Sequence, residues 1–190
     1  MKLFYSPGSC SLAPHILLEE IGEPYQLELV SVADGKTQSP EYLAINPKGR
    51  VPLLAIAQGI TLTELPAISF YLAKTHASFE LVPNDPLLEA RCLEWFNWLS
   101  GTVHAVAFGQ IWRPARFVRN ENVFTQVSEK GRDNVLDHFA SIEEQLSNRT
   151  WAVGEKYSVV DPYLLVFYRW GFCLKFSITF GQADSFMRYT

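Results

Sequence analysis

An α/β sheet domain followed by an all-helical domain is the fold class this chain predicts. Three observations carry the prediction. A strand, a helix and a second strand follow one another within the first 32 residues. A tight antiparallel hairpin and another helix come next, before residue 76. After one proline-rich break at residues 79–86, every periodic segment is helical. Strand–helix–strand units of this length place their two strands parallel. An added hairpin makes the sheet mixed.

The first domain is expected over residues 1–78. Lys2 to Tyr5 is apolar and aromatic, as in a short buried strand. Ser6, Pro7, Gly8 and Ser9 are turn residues, because proline presets one backbone angle and glycine tolerates unusual ones. Leu12, Ile16 and Ile21 then share one side of a helix from about Ser11 to Ile21, with Leu17 and Leu18 beside it. Pro14 is tolerable only near the start of that helix, and Gly22 stops it. Tyr25 to Val32 alternates, apolar at 25, 27 and 29, which predicts a half-buried strand. Ser39 caps a short helix with Pro40 in its first turn, and Asn46–Pro47 ends it. Val51 to Ile56 and Ile60 to Thr63 pair across the Gln58–Gly59 turn. Glu64, Leu65 and Pro66 open a further helix from Ala67 to about Thr75, with Ile68, Tyr71 and Leu72 as its apolar face.

The helical domain is expected over residues 87–190. Leu88, Cys92, Trp95, Leu99, Val103 and Val106 recur at three or four residues, one face of a long helix. Gly101 weakens it locally, and Trp112 to Pro114 ends it. A second long helix runs from Glu121 to about Ser147, with Val123, Val127, Val135, Phe139, Ile142 and Leu146 inward. Ser158 and Asp161 form a capping box that opens an apolar helix from Pro162 to about Leu174. A final helical turn is expected over Asp184 to Tyr189.

Composition narrows the function. The net charge is −4, so nothing favours nucleic acid. Arg113, Arg116 and Arg119 are grouped, but Glu121 follows, and a solvated loop or helix end is the reading for them. No stretch has the charged and apolar regions of a secretory signal. The most apolar segment, Tyr163 to Phe176, is interrupted by Arg169 and Lys175 and is shorter than the ~20 residues that span a membrane. Cys10, Cys92 and Cys173 are far apart and odd in number, which fits a reducing, cytoplasmic setting. His15, His76, His104 and His138 lack metal-ligand spacing, so no metal is expected.

Cys10 is the chemically distinctive residue. It sits where a strand ends and a helix begins, and unpaired N–H groups with the positive end of the helix dipole favour a thiolate there. From this stretch alone two readings stay open: a thiol site for another sulfur compound, or a small buried inert cysteine.

The chain resembles the cytosolic glutathione transferases, most of all the bacterial beta class. The resemblance rests on Lys2 to Ser11, on Asn46 to Pro52, on Thr63 to Ile68 and on Ser158 to Asp161, four motifs in order across nearly the whole chain. It implies a glutathione transferase fold, with an α/β thioredoxin-like N-terminal domain plus an all-α C-terminal domain. It implies a cis Val51–Pro52 bond that holds a sheet edge open. It also implies glutathione as co-substrate and a homodimer. By the same resemblance Cys10 faces the glutathione sulfur. The Val51 backbone pairs with the tripeptide's cysteinyl unit like an added strand. Glu64 meets the γ-glutamyl ammonium, Lys36 reaches the glycyl carboxylate, and His104 lines the cleft near the sulfur.

One position departs from the family. Leu65 stands where a serine or another small or polar residue is usual, so only its backbone N–H is left for the γ-glutamyl carboxylate. A lost charge-assisted hydrogen bond costs about 1.5–3 kcal/mol. The implied activity is conjugation of glutathione to a small hydrophobic electrophile, or thiol–disulfide exchange through Cys10. That substrate would lie near Val103, His104, Ala107, Phe108 and Trp112. A binding protein that keeps the fold without transfer, and a glutathione-dependent isomerase, are the other readings.

Overall fold

In a computed structural model, residues 1–176 are described. The chain opens with strand β1 (Lys2–Tyr5), helix α1 (Leu12–Ile21) and strand β2 (Gln26–Leu29). Helix α2 (Pro40–Ile45), strands β3 (Leu53–Ala57) and β4 (Ile60–Thr63), and helix α3 (Leu65–Thr75) follow. The sheet order is β2-β1-β3-β4. β1 runs parallel to β2, with Leu3 opposite Leu27, and antiparallel to β3, with Leu3 opposite Leu54. β3 and β4 form the antiparallel hairpin, Leu54 opposite Leu62.

Strand alternation assigns the two faces of this sheet. Leu3 and Leu54 point to one side, into a large cluster with Leu17 and Leu18 of α1 and Ile68 and Leu72 of α3. Phe4 and Leu53 point to the other, into a smaller cluster with Val30, Val51 and Tyr42 of α2. Burying each such leucine or phenylalanine is worth about 1.5–3 kcal/mol. The Ser39 hydroxyl accepts from Tyr42 N–H at 3.3 Å and caps α2. Gly22 ends α1 in the left-handed region at φ 72°, its N–H on the Leu18 carbonyl.

β2 corrects the expectation of a half-buried strand. All four of its residues are exposed, Leu29 by 56%. Alternation shows which residues share a face, not whether another element lies over it. Among the described residues β2 is a sheet edge, with β1 as its only strand partner.

The helical part begins with α4 (Pro86–Asn97). Asp85 caps it by accepting from Leu87 and Leu88 N–H at 3.0 and 2.9 Å. The helix continues as a π-helical stretch, Trp98–Phe108, and closes with α5 (Gly109–Trp112). Its apolar spacing predicts a regular helix, and the structure corrects this. π geometry leaves the same residue types in place and shifts their register, so the periodicity does not announce it. Gly131 lies within α6 (Phe124–Leu146), where α6 approaches this helix. A Cβ on Gly131 would lie 2.8 Å from Gln110 Cβ, so glycine is required there. Asn134 donates to Gln110 across the same contact at 2.8 Å.

The last described helix, α7 (Asp161–Cys173), is buried over most of its length. Asp161 accepts from Ser158 N–H and hydroxyl at 2.7 and 3.0 Å and from Ala152 N–H at 2.9 Å. The expected capping box is therefore present, with the acid holding a neighbouring loop as well. α7 packs on α1, and one buried cluster runs from Leu3 and Leu17 through Phe96 and Phe108 to Tyr163 and Phe167. The final turn expected over Asp184 to Tyr189 lies outside the described residues. No described helix is long and apolar enough to cross a membrane.

Candidate functional site

Cys10 ends a loop that three serines knot together. Ser9 Oγ donates to the Ser6 carbonyl at 2.8 Å and lies 2.7 Å from Ser11 Oγ. Ser11 Oγ accepts from Ser6 N–H at 3.2 Å, and Ser6 Oγ accepts from Val32 N–H at 3.0 Å. The loop is also tied to the helical part, because Trp170 Nε1 of α7 donates to the Gly8 carbonyl at 2.7 Å. Cys10 is thereby held 8% exposed, its thiol donating to the Val51 carbonyl at 3.7 Å.

This environment reverses the expected protonation state. Burial pushes the Cys10 thiol up to about 12, against the opposing pull of a backbone hydrogen bond and of Arg113. Desolvation penalises the charged form and here outweighs the helix start. At neutral pH Cys10 is a neutral thiol, not a thiolate.

Val51 and Pro52 lie directly before β3, and the bond between them is cis. The turn before them is pinned from several sides. Tyr42 hydroxyl and Asn46 Nδ2 both donate to the Arg50 carbonyl at 2.7 Å. Gln38 Nε2 donates to the Gly49 carbonyl at 2.9 Å. Gly49 has φ 59°, and a Cβ there would meet Gln38 Nε2 at 2.5 Å. The result fixes Val51 as one wall beside Cys10.

Glu64 stands at the start of α3 with φ 69°, a left-handed conformation that costs a non-glycine residue about 1–3 kcal/mol. Its charge acts on Cys10 and adds to the rise of that thiol. Lys48, which sequence reasoning missed, sits on the Glu64 carboxylate at 2.7 Å and on Thr63 Oγ1 at 2.9 Å. The motif Asn46 to Pro52 contains this lysine, and its charge opposite Glu64 was the available signal. Leu65 is 4% exposed and belongs to the large core cluster. Lys36 is exposed in a short 3₁₀ turn at Lys36–Gln38, where its charge acts on Glu41.

His104 lies on the π-helical stretch. Its Nδ1 is 3.1 Å from the Tyr163 hydroxyl, and its ring is 4.8 Å from the Trp170 ring. Burial, with Arg113, Arg50 and Arg116 adding to it, lowers His104 to about 4. It is therefore neutral at neutral pH. Tyr163, fully buried and pushed well up by burial, stays a phenol and orients this ring. Val103, Ala107 and Phe108 are fully buried in the core and do not line a cleft. Their spacing marked a core face. Trp112 is 44% exposed and packs edge-on against Trp170 at 4.9 Å. Among the described residues no group of three or more His, Cys, Asp or Glu could hold a metal ion.

A mixed four-stranded sheet with a cis-proline just before its third strand, joined to a helical part, defines the fold class. Two family descriptions match: "Glutathione S-transferase, N-terminal domain" over residues 8–75 and "Glutathione S-transferase, C-terminal domain" over residues 114–188. Glutathione S-transferase GstA of Escherichia coli O157:H7 is 31% identical over 94% of this chain and 86% of its own length. A maleylacetoacetate isomerase of Pseudomonas aeruginosa is 28% identical over 87% of this chain and 78% of its own. Among solved structures, a glutathione transferase homologue from Sulfitobacter with bound glutathione matches at TM-score 0.90 and 30% identity. It covers 99% of this chain and 90% of its own. The beta-class transferase of Sphingomonas chungbukensis matches at TM-score 0.79 and 31% identity, covering 100% of this chain and 90% of its own. The chain belongs to the glutathione S-transferase family and has its fold.

Proposed function

We propose that the protein conjugates glutathione to small electrophiles, with the tripeptide's sulfur held beside Cys10. The observation that carries this reading is the Cys10 thiol on the Val51 carbonyl, beside the cis bond to Pro52, with the charge of Glu64 acting on the same thiol. Cys10 acts as a neutral donor. Its S–H turns from the Val51 carbonyl to the glutathione sulfur and stabilises the thiolate, since a hydrogen bond to the charged form favours that form. The glutathione proton leaves to solvent. The thiolate then forms a C–S bond, and the leaving group departs with its electron pair.

Burial of Cys10 favours conjugation over thiol–disulfide exchange. A thiol near 12 holds almost no thiolate at neutral pH, and exchange needs one. Neutral His104, turned by Tyr163, completes the sulfur's surroundings. Glu64 takes the γ-glutamyl ammonium in competition with Lys48. The Leu65 N–H takes the γ-glutamyl carboxylate, and Lys36 takes the glycyl carboxylate. Leu65 supports a second reading, a glutathione-binding protein without transfer, because its side chain is committed to the core.

The reading includes two domains, 1–78 and 87–190, and the Asp85 cap that opens α4 supports a boundary at 79–86. It includes a homodimer, supported by the exposed apolar side chains Ile60, Phe79, Leu87 and Leu93. It includes a cytoplasmic setting, supported by the free cysteines Cys10, Cys92 and Cys173. Calorimetric titration with glutathione and turnover of a chlorodinitrobenzene, each with and without Cys10→Ala, test the function. Binding with turnover that drops in the variant is expected. Absence of binding at millimolar glutathione overturns it, and binding without turnover selects the second reading. Sedimentation as a monomer overturns the dimer.

A further inference from the structure

Lys48 and Glu64 form an ion pair at 2.7 Å, at the open end of the β3–β4 hairpin. Leu53 stands opposite Thr63 in that hairpin. Just beyond this pair lie cis-Pro52 and Val51 on one side and Glu64 on the other. Val51 gives its carbonyl to the Cys10 thiol at 3.7 Å. Strand register therefore places Glu64 across from the segment that holds Cys10. Both members of the ion pair stand on fixed backbone. Asn46, 2% exposed, accepts from Lys48 N–H at 3.2 Å and donates to the Arg50 carbonyl at 2.7 Å. Glu64 takes φ 69°, and its carbonyl accepts from Ile68 N–H at 3.0 Å in the first turn of α3. Left-handed strain in a residue other than glycine gathers at functional sites.

Each partner keeps capacity that the pair does not use. An ammonium has three donors. Lys48 gives one to Glu64 Oε1 and one to Thr63 Oγ1 at 2.9 Å, and the third has no acceptor among the described residues. Glu64 Oε2 likewise has no donor among the described residues. The two side chains are 53% and 59% exposed, so a ligand can reach both. An exposed pair of this kind adds little to stability, which does not account for a strained glutamate. The adjoining helix start is short of donors. Residue 65 has no polar side chain, no side chain caps α3, and Pro66 in its first turn has no N–H.

We infer that Lys48 receives the α-carboxylate of the γ-glutamyl group, in place of a hydroxyl at residue 65, while Glu64 Oε2 receives the α-ammonium. This rests on the reading that sets the γ-glutamyl end of glutathione at Glu64, and it makes Lys48 the residue that selects a zwitterionic head. An α-amino acid carries one charge of each sign on one carbon. The Lys48–Glu64 pair presents the opposite charges side by side. The ligand's two charges complete an alternating set with the pair, each contact a charge-assisted hydrogen bond. Lys48 and the ammonium share the Glu64 carboxylate, one oxygen each. The ligand's carboxylate lies between the two cations and offsets their repulsion, which relieves the competition for Glu64.

The test measures Kd by calorimetry for glutathione and for γ-aminobutyryl-cysteinylglycine, the same tripeptide without its α-carboxylate. Glutathione should bind at least ~10-fold tighter. That ratio should fall ~3–5-fold in Lys48→Gln, the upper range of an exposed ion pair, and should be kept in Lys48→Arg. Lys36→Gln, on a separate 3₁₀ turn, should leave the ratio in place. Equal losses for the two ligands in Lys48→Gln overturn the inference, because Lys48 would then only hold the turn and Glu64 in shape. Tighter glutathione binding in that variant overturns it too, because Lys48 would be a competitor for Glu64 and nothing more. A second arm uses γ-glutamylglycine, which has the head and no thiol. Its binding, lost in Lys48→Gln, in a protein that turns over no electrophile overturns conjugation and supports the Lys48 site. Turnover of an electrophile with an unmoved ratio does the reverse. Absence of glutathione binding at millimolar concentration overturns both.

Discussion

Trp170 and Gly8 are 162 residues apart in sequence and joined by one 2.7 Å hydrogen bond. The bond ties α7 to the loop that carries Cys10. Trp170→Phe keeps an aromatic ring and removes the donor. Gly8 is exposed, so water can take its carbonyl, and the stability loss should be about 1 kcal/mol. The larger effect should be on the loop. Glutathione KM should rise several-fold with a smaller change in kcat. Denaturant unfolding and steady-state kinetics measure the two, and an unchanged KM would show that the serine knot holds the loop alone.

A neutral Cys10 has a direct chemical signature. Its thiol lies near 12, so its alkylation at neutral pH should be at least ~100-fold slower than that of free cysteine. The rate should climb about tenfold per pH unit through pH 9 without a plateau. Iodoacetamide labelling in a Cys173→Ser background checks this, because Cys173 is exposed and Cys92 is buried. A plateau below pH 8 would mean a thiolate at the helix start, as the sequence alone suggests.

Much of the fold could be read before any coordinates. Turn chemistry at Ser39–Pro40, Gln58–Gly59 and Gly22, and the alternation of Leu3 with Phe4, mark local events that act over a few residues. Cys10, Val51 and Glu64 could be singled out as site candidates because each lies in a contiguous motif. What escaped was pairing at a distance. Lys48 meets Glu64 across 16 residues, and His104 meets Tyr163 across 59. Apolar spacing marks Tyr163 as core and says nothing of its hydroxyl. The neutral state of Cys10 was hidden for a related reason: burial is a sum over surrounding atoms that no local pattern records.

His104 should make stability depend on pH. Its folded value, about 4, lies below the ordinary 6.5. Between these values the unfolded chain binds a proton that the folded protein refuses, so stability falls as pH falls from about 6.5 to about 4. The loss is at most ~3 kcal/mol. Asp161, pushed up to about 6 by burial, works in the opposite direction over nearly the same range. The wild type alone would therefore conceal both. The difference between wild type and His104→Gln isolates the histidine. The wild type's stability relative to the variant should shrink steadily from pH 7 to pH 4 in urea titrations. A constant difference would place His104 in contact with water.

Asp161 serves three donors at once, and two substitutions separate its roles. Ser158→Ala removes one hydroxyl, which also accepts from the buried Val160 N–H at 3.3 Å, and leaves the carboxylate with the Ala152 and Ser158 N–H groups. The cost should be about 1–3 kcal/mol. Asp161→Ala strands those two N–H groups in a buried setting and leaves the Ser158 hydroxyl without its acceptor. Each stranded group costs about 1–3 kcal/mol, so the total for the three should be at least ~3 kcal/mol. The effect should extend beyond stability, because α7 carries Tyr163 and Trp170, the partners of His104 and Gly8. Under conditions where Asp161→Ala is still folded, glutathione affinity should therefore fall while Ser158→Ala stays near wild type. Equal affinities in the two variants would show that α7 docks on α1 independently of its cap.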